Sequence, residues 1–278
     1  MKVIQTELQA INGEIELYIM ADTHIGSAQF NLQLVNDLIA HILKKNNRYV
    51  IFNGDNFDCT FIDSKGNVYE NEMTPDSALN FGCRLFKPLF DKNRVVCITG
   101  GNHDDDRSMR LIGISLIEQF AIRMNAGQLF SHDSVMLLAK IKNGVKGHKD
   151  SKVSYRVFIN HGNNGGGGTM GSKANALEKM ALLCPTADVY IHSHTHAPFT
   201  FKDNYVDVDE KKGIVKWKER LFVNSNAFMN YFNSYAEKKL IKPASQSIPV
   251  IRLKAVRYQD GGRSRTLDRT IKHMSCEI

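Results

Sequence analysis

Five apolar runs in the chain each end on side chains that can hold a metal ion. Glu14 to His24 stops on Asp22, Thr23 and His24, and Arg48 to Asp55 stops on Asp55. Arg94 to Thr99 leads into Asn102 and His103, Val153 to Asn160 into His161, and Val189 to His192 continues to His194 and His196. A buried strand that delivers a carboxylate or an imidazole at its carboxyl end is how an open α/β sheet builds a site at its rim. Asp22, Asp55 and Asn102 offer oxygen, and His24, His161, His194 and His196 offer nitrogen. That mixture suits Mn, Fe, Zn or Ni rather than Ca or Mg. Asp22 and His24 stand one residue apart, as do His194 and His196, so on a strand the members of each pair face the same way. Gly54 before Asp55, and Gly100 and Gly101 before Asn102, leave the backbone free to turn where the ligands are needed. Singly these signals are weak, because a solitary His is more often hydrogen-bonded core than ligand. In this order, each at the end of an apolar strand, they point jointly to one metal site.

The ordered set DTH (Asp22 to His24), GDNFD (Gly54 to Asp58), GNHD (Gly101 to Asp104), NHG (Asn160 to Gly162) and HSHTH (His192 to His196) resembles the calcineurin-like metallophosphoesterase superfamily. The resemblance implies an α/β fold, a four-layer α/β/β/α sandwich of two mixed β-sheets flanked by helices, with a two-metal site at the strand ends. It implies further that Asp22, His24 and His196 hold one ion, that Asn102, His161 and His194 hold the other, and that Asp55 bridges them. Mn²⁺ is the leading ion, with Fe, Zn or Ni as alternatives. The chain departs from the family at Ser193, where Gly is usual, and in the extra His192. By strand alternation His192 shares a face with His194 and His196, and it is expected to support the ligands rather than join them.

Two cations ~3.5 to 4 Å apart share a water, lower its pKa toward neutrality and clamp phosphoryl oxygens for in-line attack. A phosphodiester also needs its leaving alkoxide protonated. His103, beside Asn102 yet not needed as a ligand, is the candidate acid, with Asp58 or Asp104 to orient its ring. Asp105 and Asp106 read as a solvated acidic turn. Cys59 follows Asp58 where the Ser/Thr protein phosphatase branch of the resembled family has a phosphate-binding arginine, which argues against that branch. The Gly-rich stretch from Asn163 to Ser172, NNGGGGTMGS, follows His161. Converging backbone N–H groups there, at Asn163, Gly166 and Gly167, and a helix capped by Ser172 would suit a substrate phosphate.

The elements that must position these residues alternate at first. Apolar residues at fourfold spacing predict a helix within Ser27 to Asn46, and Thr74, Pro75 and Asp76 predict another from there to about Asp91. A third is expected over Ser108 to Met124. Strand, helix, strand, helix implies a largely parallel sheet. The second half is richer in strands: Ser134 to Ile141, Val153 to Asn160, Val189 to His192, and a pair at Ile214 to Trp217 and Arg220 to Asn224. One helix, Lys173 to Leu183, interrupts them, and Ile248 to Tyr258 is strand-like. Tyr231, Phe232 and Tyr235 read as core rather than as base-stacking residues.

The chain has 278 residues, 42% of them hydrophobic, enough to bury one large α/β core. Residues 1–235 are expected to form the phosphoesterase domain, and 236–278 a basic extension packed on or continuing it. No apolar run approaches the ~18 residues needed to cross a bilayer, so no membrane role is expected and the reading is cytoplasmic. The five cysteines are scattered and never form a CxxC pair, which suits a reducing compartment. Net charge is +7, and from Glu237 onward ten Lys or Arg stand against four acidic residues. Such a basic end favours a polyanionic partner, DNA or RNA. The leading expectation is a nuclease-like phosphodiesterase acting on nucleic acid or nucleotides. A phosphomonoesterase or cyclic-nucleotide phosphodiesterase is the enzymatic alternative, and a catalytically silent scaffold of the same fold is the alternative of another class. Oligomeric state stays open, a homodimer included.

Overall fold

The computed structural model describes residues 1–61, 71–142, 152–162, 168–210, 212–232, 235–238, 242–243, 245–258 and 269–278. The strands are β1 (Lys2–Leu8), β2 (Glu14–Met20), β3 (Arg48–Asn53), β4 (Val95–Thr99), β5 (Phe130–Ser131), β6 (Val135–Lys142), β7 (Lys152–Ile159), β8 (Val189–His192), β9 (Phe199–Asp209), β10 (Ile214–Asn224), β11 (Val250–Tyr258) and β12 (Arg269–Glu277). The helices are α1 (Leu32–Leu43), α2 (Pro75–Asp91), α3 (Ser108–Ile112), α4 (Leu116–Arg123), α5 (Met170–Glu178), α6 (Met180–Leu183) and α7 (Tyr235–Lys238).

Two six-stranded mixed sheets face each other, ordered β1-β6-β7-β8-β10-β9 and β12-β11-β2-β3-β4-β5. Alternate residues divide each strand between two cores. Ile15, Leu17 and Ile19 of β2 meet Val157, Ile159 and Val223 of the other sheet between the layers. Tyr18 and Met20 point outward onto Val35, Leu38 and Ile42 of α1 and Leu79 and Phe86 of α2. Phe158, Tyr190 and Phe222 meet Leu177 of α5 and Met180 of α6 on the opposite outer face. The result is the four-layer α/β/β/α sandwich of two mixed sheets. Because both faces of β2, β3 and β4 are covered, these strands are apolar without alternation.

Several boundaries differ from the sequence expectations for local reasons. α1 starts at Leu32, capped by Asn31, because Ser27 and Phe30 make bridges to Asn71 and Met229 instead. α2 is capped by Thr74 as expected. The single helix expected over Ser108 to Met124 is broken: Gly113 turns left-handed at φ 69° and ends α3, and Ser115 caps α4. α5 starts before Lys173 and is capped by Thr169, so Ser172 lies inside the helix and is not its cap. Ile214 to Asn224 is one strand, paired along its length with β9 rather than folded on itself. β1 precedes the first expected strand and pairs with β6. β11 pairs antiparallel with β2, so the basic C-terminal segment enters the sheet that carries Asp22. Phe232 is 74% exposed, not core; the side chain of Tyr235 lies outside the described residues.

Candidate metal centre

β2, β3 and β4 run parallel, as do β7 and β8, and the segments that follow them meet at one rim. There Asp22, His24 and His196 each offer one ligand atom within 4.8 Å of the others, and so do Asp55, His161 and His194. Asp22 Oδ1, His24 Nε2, Asn102 Oδ1, His161 Nε2 and His194 Nδ1 are all buried with no hydrogen-bond partner. A buried polar atom without a partner costs roughly 1–3 kcal/mol, so five such atoms at one rim need a shared partner. A divalent cation is that partner in kind: the contacts His161 Nε2 to Asp55 Oδ2 (3.2 Å) and His196 Nε2 to Asp22 Oδ1 (3.1 Å) are close. The donor set therefore fits metal ions.

Local backbone geometry produces the convergence. Asp22, His24, Asp55, His194 and His196 all have positive φ, between 48° and 64°. Non-glycine residues enter this left-handed region at roughly 1–2 kcal/mol each. The expectation that the paired residues sit on strands is thereby corrected: β2 stops at Met20 and β8 at His192, and the ligands occupy strained turns beyond. His194 and His196 accordingly part company and join different clusters.

The supporting bonds choose which ring nitrogen faces the centre. His161 Nδ1 donates to the Asn53 carbonyl at 2.7 Å, leaving Nε2 to the site. Asp55 Oδ1 accepts the His103 backbone N–H at 2.7 Å, leaving Oδ2. Asp22 Oδ2 accepts the His194 N–H at 3.1 Å, leaving Oδ1. The serine at position 193 keeps the turn and adds a bond, its Oγ accepting from Asn53 Nδ2 at 2.7 Å. His192 joins neither cluster: its Nδ1 meets Asn224 Oδ1 at 2.8 Å and its ring lies against Gly162. Burial disfavours charge on His161, yet the Asp55 and Asp22 carboxylates overcome it and push the imidazole up to about 10, a sign of how strongly the centre attracts a cation.

A six-residue π-helical turn, Asn102–Arg107, follows β4 and carries Asn102 and His103; π-turns of this kind recur at functional sites. Asp58 Oδ1 lies 2.8 Å from His103 Nδ1. Asp104 does not orient His103, contrary to one of the two expectations: its fully buried carboxylate accepts the N–H groups of Asn56 (2.7 Å) and Gly101 (3.0 Å) and braces the turn. Asp105 is not solvated; it is buried against Gly100 and lies 3.0 Å from His132 Nδ1. Asp106 is exposed as expected. Arg107, missed in the sequence, leans on His103, with Nη1 2.9 Å from Nδ1 and Nη2 3.2 Å from Nε2. Its position four residues after His103 was the available signal, since such pairs share a helix face. Asn163, Gly166 and Gly167 lie outside the described residues.

Of the basic C-terminal residues, Arg252, Lys254 and Lys272 are paired with Glu277, Glu14 and Asp188, so part of that charge is neutralised within the sheets. No helix among the described residues is long and apolar enough to cross a membrane.

The family model of calcineurin-like phosphoesterases matches residues 15–198. The chain belongs to that family, which suggests a metal-dependent phosphoesterase. No curated protein sequence matched it. Among solved structures, it is similar to a predicted phosphoesterase from Streptococcus pneumoniae TIGR4, at 12% identity over 94% of this chain and 98% of that one, with TM-score 0.34. It is also similar to vacuolar protein sorting 29 from Cryptosporidium parvum, at 14% identity over 95% and 98%, with TM-score 0.39. A third is Vps29 from Entamoeba histolytica, complexed with zinc, at 10% identity over 94% and 99%, with TM-score 0.34. Likeness at this level carries no argument about what this chain does.

Proposed function

We infer that the protein is a dinuclear metal-dependent phosphodiesterase that hydrolyses phosphodiester bonds of nucleic acid or nucleotides, with His103 as general acid. The observation that carries this reading is the set of unpartnered buried atoms on Asp22, His24, Asn102, His161 and His194, beside an imidazole already held by a carboxylate. Asp22, His24 and His196 would hold one ion, Asn102, His161 and His194 the other, and Asp55 would bridge them, with Mn²⁺ the leading ion for this mixed nitrogen and oxygen set. Two such ions supply Lewis acidity at the phosphoryl oxygens and make the attacking water more acidic. Asp58 accepts the Nδ1 proton of His103 and fixes the ring, so Nε2 is the atom that delivers a proton to the leaving alkoxide. Among the described residues His192 supports the turn through Gly162 and Asn224 rather than meeting substrate. Asp58 with Cys59 after it, in place of a phosphate-binding arginine, favours a diester over a phosphoprotein. The location consistent with this reading is the cytoplasm.

The test is hydrolysis of bis-p-nitrophenyl phosphate, p-nitrophenyl phosphate, single-stranded DNA and 2′,3′-cyclic nucleotides by metal-stripped protein given Mn²⁺, with Asp55→Asn as the blank. Mn²⁺-dependent cleavage of a diester or of DNA, lost in Asp55→Asn, is expected. Cleavage of the monoester alone would replace the diesterase with a phosphomonoesterase. Bound metal without turnover on any of the four would point to the silent scaffold.

A further inference from the structure

We propose that Arg107 and Lys173 bind the phosphates on either side of the scissile one, which makes the substrate a nucleic-acid strand rather than an isolated diester. The inference rests on the phosphodiesterase reading. The two cations stand at the ends of one row of contacts across the centre. Arg107 leans on His103, whose ring lies 4.5 Å from that of His24, and the His24 ring lies 5.5 Å from that of His196. Thr195 precedes His196, and its carbonyl accepts from Lys173 Nζ at 3.2 Å. A single-phosphate substrate would occupy only the middle of such a row.

Both side chains are half-buried, and among the described residues neither forms an ion pair. Elsewhere in the protein Arg48, Arg220 and Lys272 are each set against a carboxylate, Glu16, Asp203 and Asp188. The other bonds of Arg107 and Lys173 are to carbonyl oxygens, Arg107 Nη1 donating to Cys59 at 3.3 Å. Such bonds aim a cation without neutralising it. Burial and then the charge of Lys242 push the Lys173 ammonium below its ordinary range, and an anionic phosphate beside it would oppose that shift. Two aimed, uncompensated cations flanking a site for phosphoryl chemistry call for two anions, and a phosphodiester chain supplies them at each neighbouring linkage.

The experiment compares wild type with Arg107→Ala, Lys173→Ala and the double variant in the metal-loaded full chain. Arg107→Gln keeps a donor for the Cys59 carbonyl and serves if the alanine variant does not fold. Cleavage of an eight-residue thymidine oligomer is expected to fall about tenfold per substitution, the range of one charge-assisted hydrogen bond. In Lys173→Ala, cleavage of bis-p-nitrophenyl phosphate, with its single phosphate, is expected to stay within about twofold by the same reasoning; Arg107→Ala also loses its contacts to His103, so its test is the binding readout. Binding of a labelled phosphorothioate oligomer, followed by anisotropy across a salt series, adds a readout that needs no turnover. The slope of log affinity against log salt should flatten by about 0.7 for each lost contact, and Lys216→Ala, on the β9–β10 hairpin, should leave it unchanged. Parallel losses on both substrates in Lys173→Ala would mean that Lys173 only holds the site together, and unchanged salt slopes in the two single variants would overturn the proposal outright. A wild type that binds the oligomer with these slopes but hydrolyses nothing would instead sink the phosphodiesterase reading.

Discussion

One carboxylate serves two imidazoles: Asp58 Oδ1 lies 2.8 Å from Nδ1 of His103 and 3.5 Å from Nδ1 of His24. The candidate acid and a candidate ligand are thus oriented by the same group. His103→Ala should retain its metal and lose about 10²- to 10⁴-fold in turnover on esters with poor leaving groups. Asp58→Asn should lose about 10- to 100-fold in activity or metal affinity, as partners of metal ligands do. Elemental analysis alongside turnover on a dinucleotide separates the two. An unaltered dinucleotide rate in His103→Ala would remove the histidine from the mechanism.

Metal should be a folding partner as much as a reagent, because among the described residues His24 Nε2, Asn102 Oδ1 and His194 Nδ1 lack a hydrogen bond, and Asp22 Oδ1 and His161 Nε2 have only an imidazole–carboxylate contact, at 3.1 and 3.2 Å. Stripped protein given Mn²⁺ at about a hundred times its dissociation constant should gain about 2.7 kcal/mol, or about 5 to 10 °C in melting temperature for a chain of this size. Asp55→Asn should show little of that gain. Equal melting curves with and without Mn²⁺ would argue against the centre.

Gly54 is a tighter constraint than any ligand. It has φ +75°, and a Cβ there would stand 2.6 Å from the His161 ring and 2.8 Å from the Gly101 Cα. Gly54→Ala should therefore cost about 2 to 4 kcal/mol by strain and overpacking together and lower metal content, measurable by urea denaturation and elemental analysis. A stable, fully metallated variant would show that the strand ends can move apart.

Away from the centre, Glu16 is buried and its Oε2 accepts from Arg48 Nε at 2.8 Å and from Tyr18 Oη at 2.5 Å. Burial works against its charge, but Tyr18 and Arg48 prevail and hold the carboxyl below its ordinary value. A carboxyl lowered on folding contributes stability above its unfolded pKa of about 4.3 and loses it as pH falls through the folded value. Glu16→Gln should be less stable by about 3 kcal/mol at pH 7, the scale for breaking a buried pair, with the gap closing below about pH 4. A gap that holds constant with pH would assign the loss to packing.

How much of this was legible in the sequence varies by element. The five strand ends were legible because strands covered on both faces are apolar without interruption, so polar residues at their ends stand out. Their conformation was not, since Asp and His enter the left-handed region more readily than most side chains yet still only in a small minority of cases. Alternation alone predicted a shared face for His194 and His196; the left-handed turns beyond β8 instead send them to separate clusters, the division that the family resemblance implied. The reading of Asp105 as solvated failed for a related reason: three aspartates in a row look solvated, yet a π-turn directs Asp105 inward onto His132, and it sends Asp104, expected beside His103, onto backbone N–H groups instead. The helix break at Gly113 and Ser115 carried ordinary stop and start signals that the apolar periodicity of Ser108 to Met124 outweighed.

β11 lies between β2 and β12, so the strand that leads to Asp22 and His24 is flanked on one side by residues 250–258. During synthesis β3 and β4 can join β2 early, but its other edge stays open until the ribosome has moved more than two hundred residues further. Over that interval the nascent chain exposes a long apolar strand edge, the kind of surface that templates misassembly. A message interrupted before residue 250 would accordingly yield a product that has every metal ligand and an unfinished sheet beneath them.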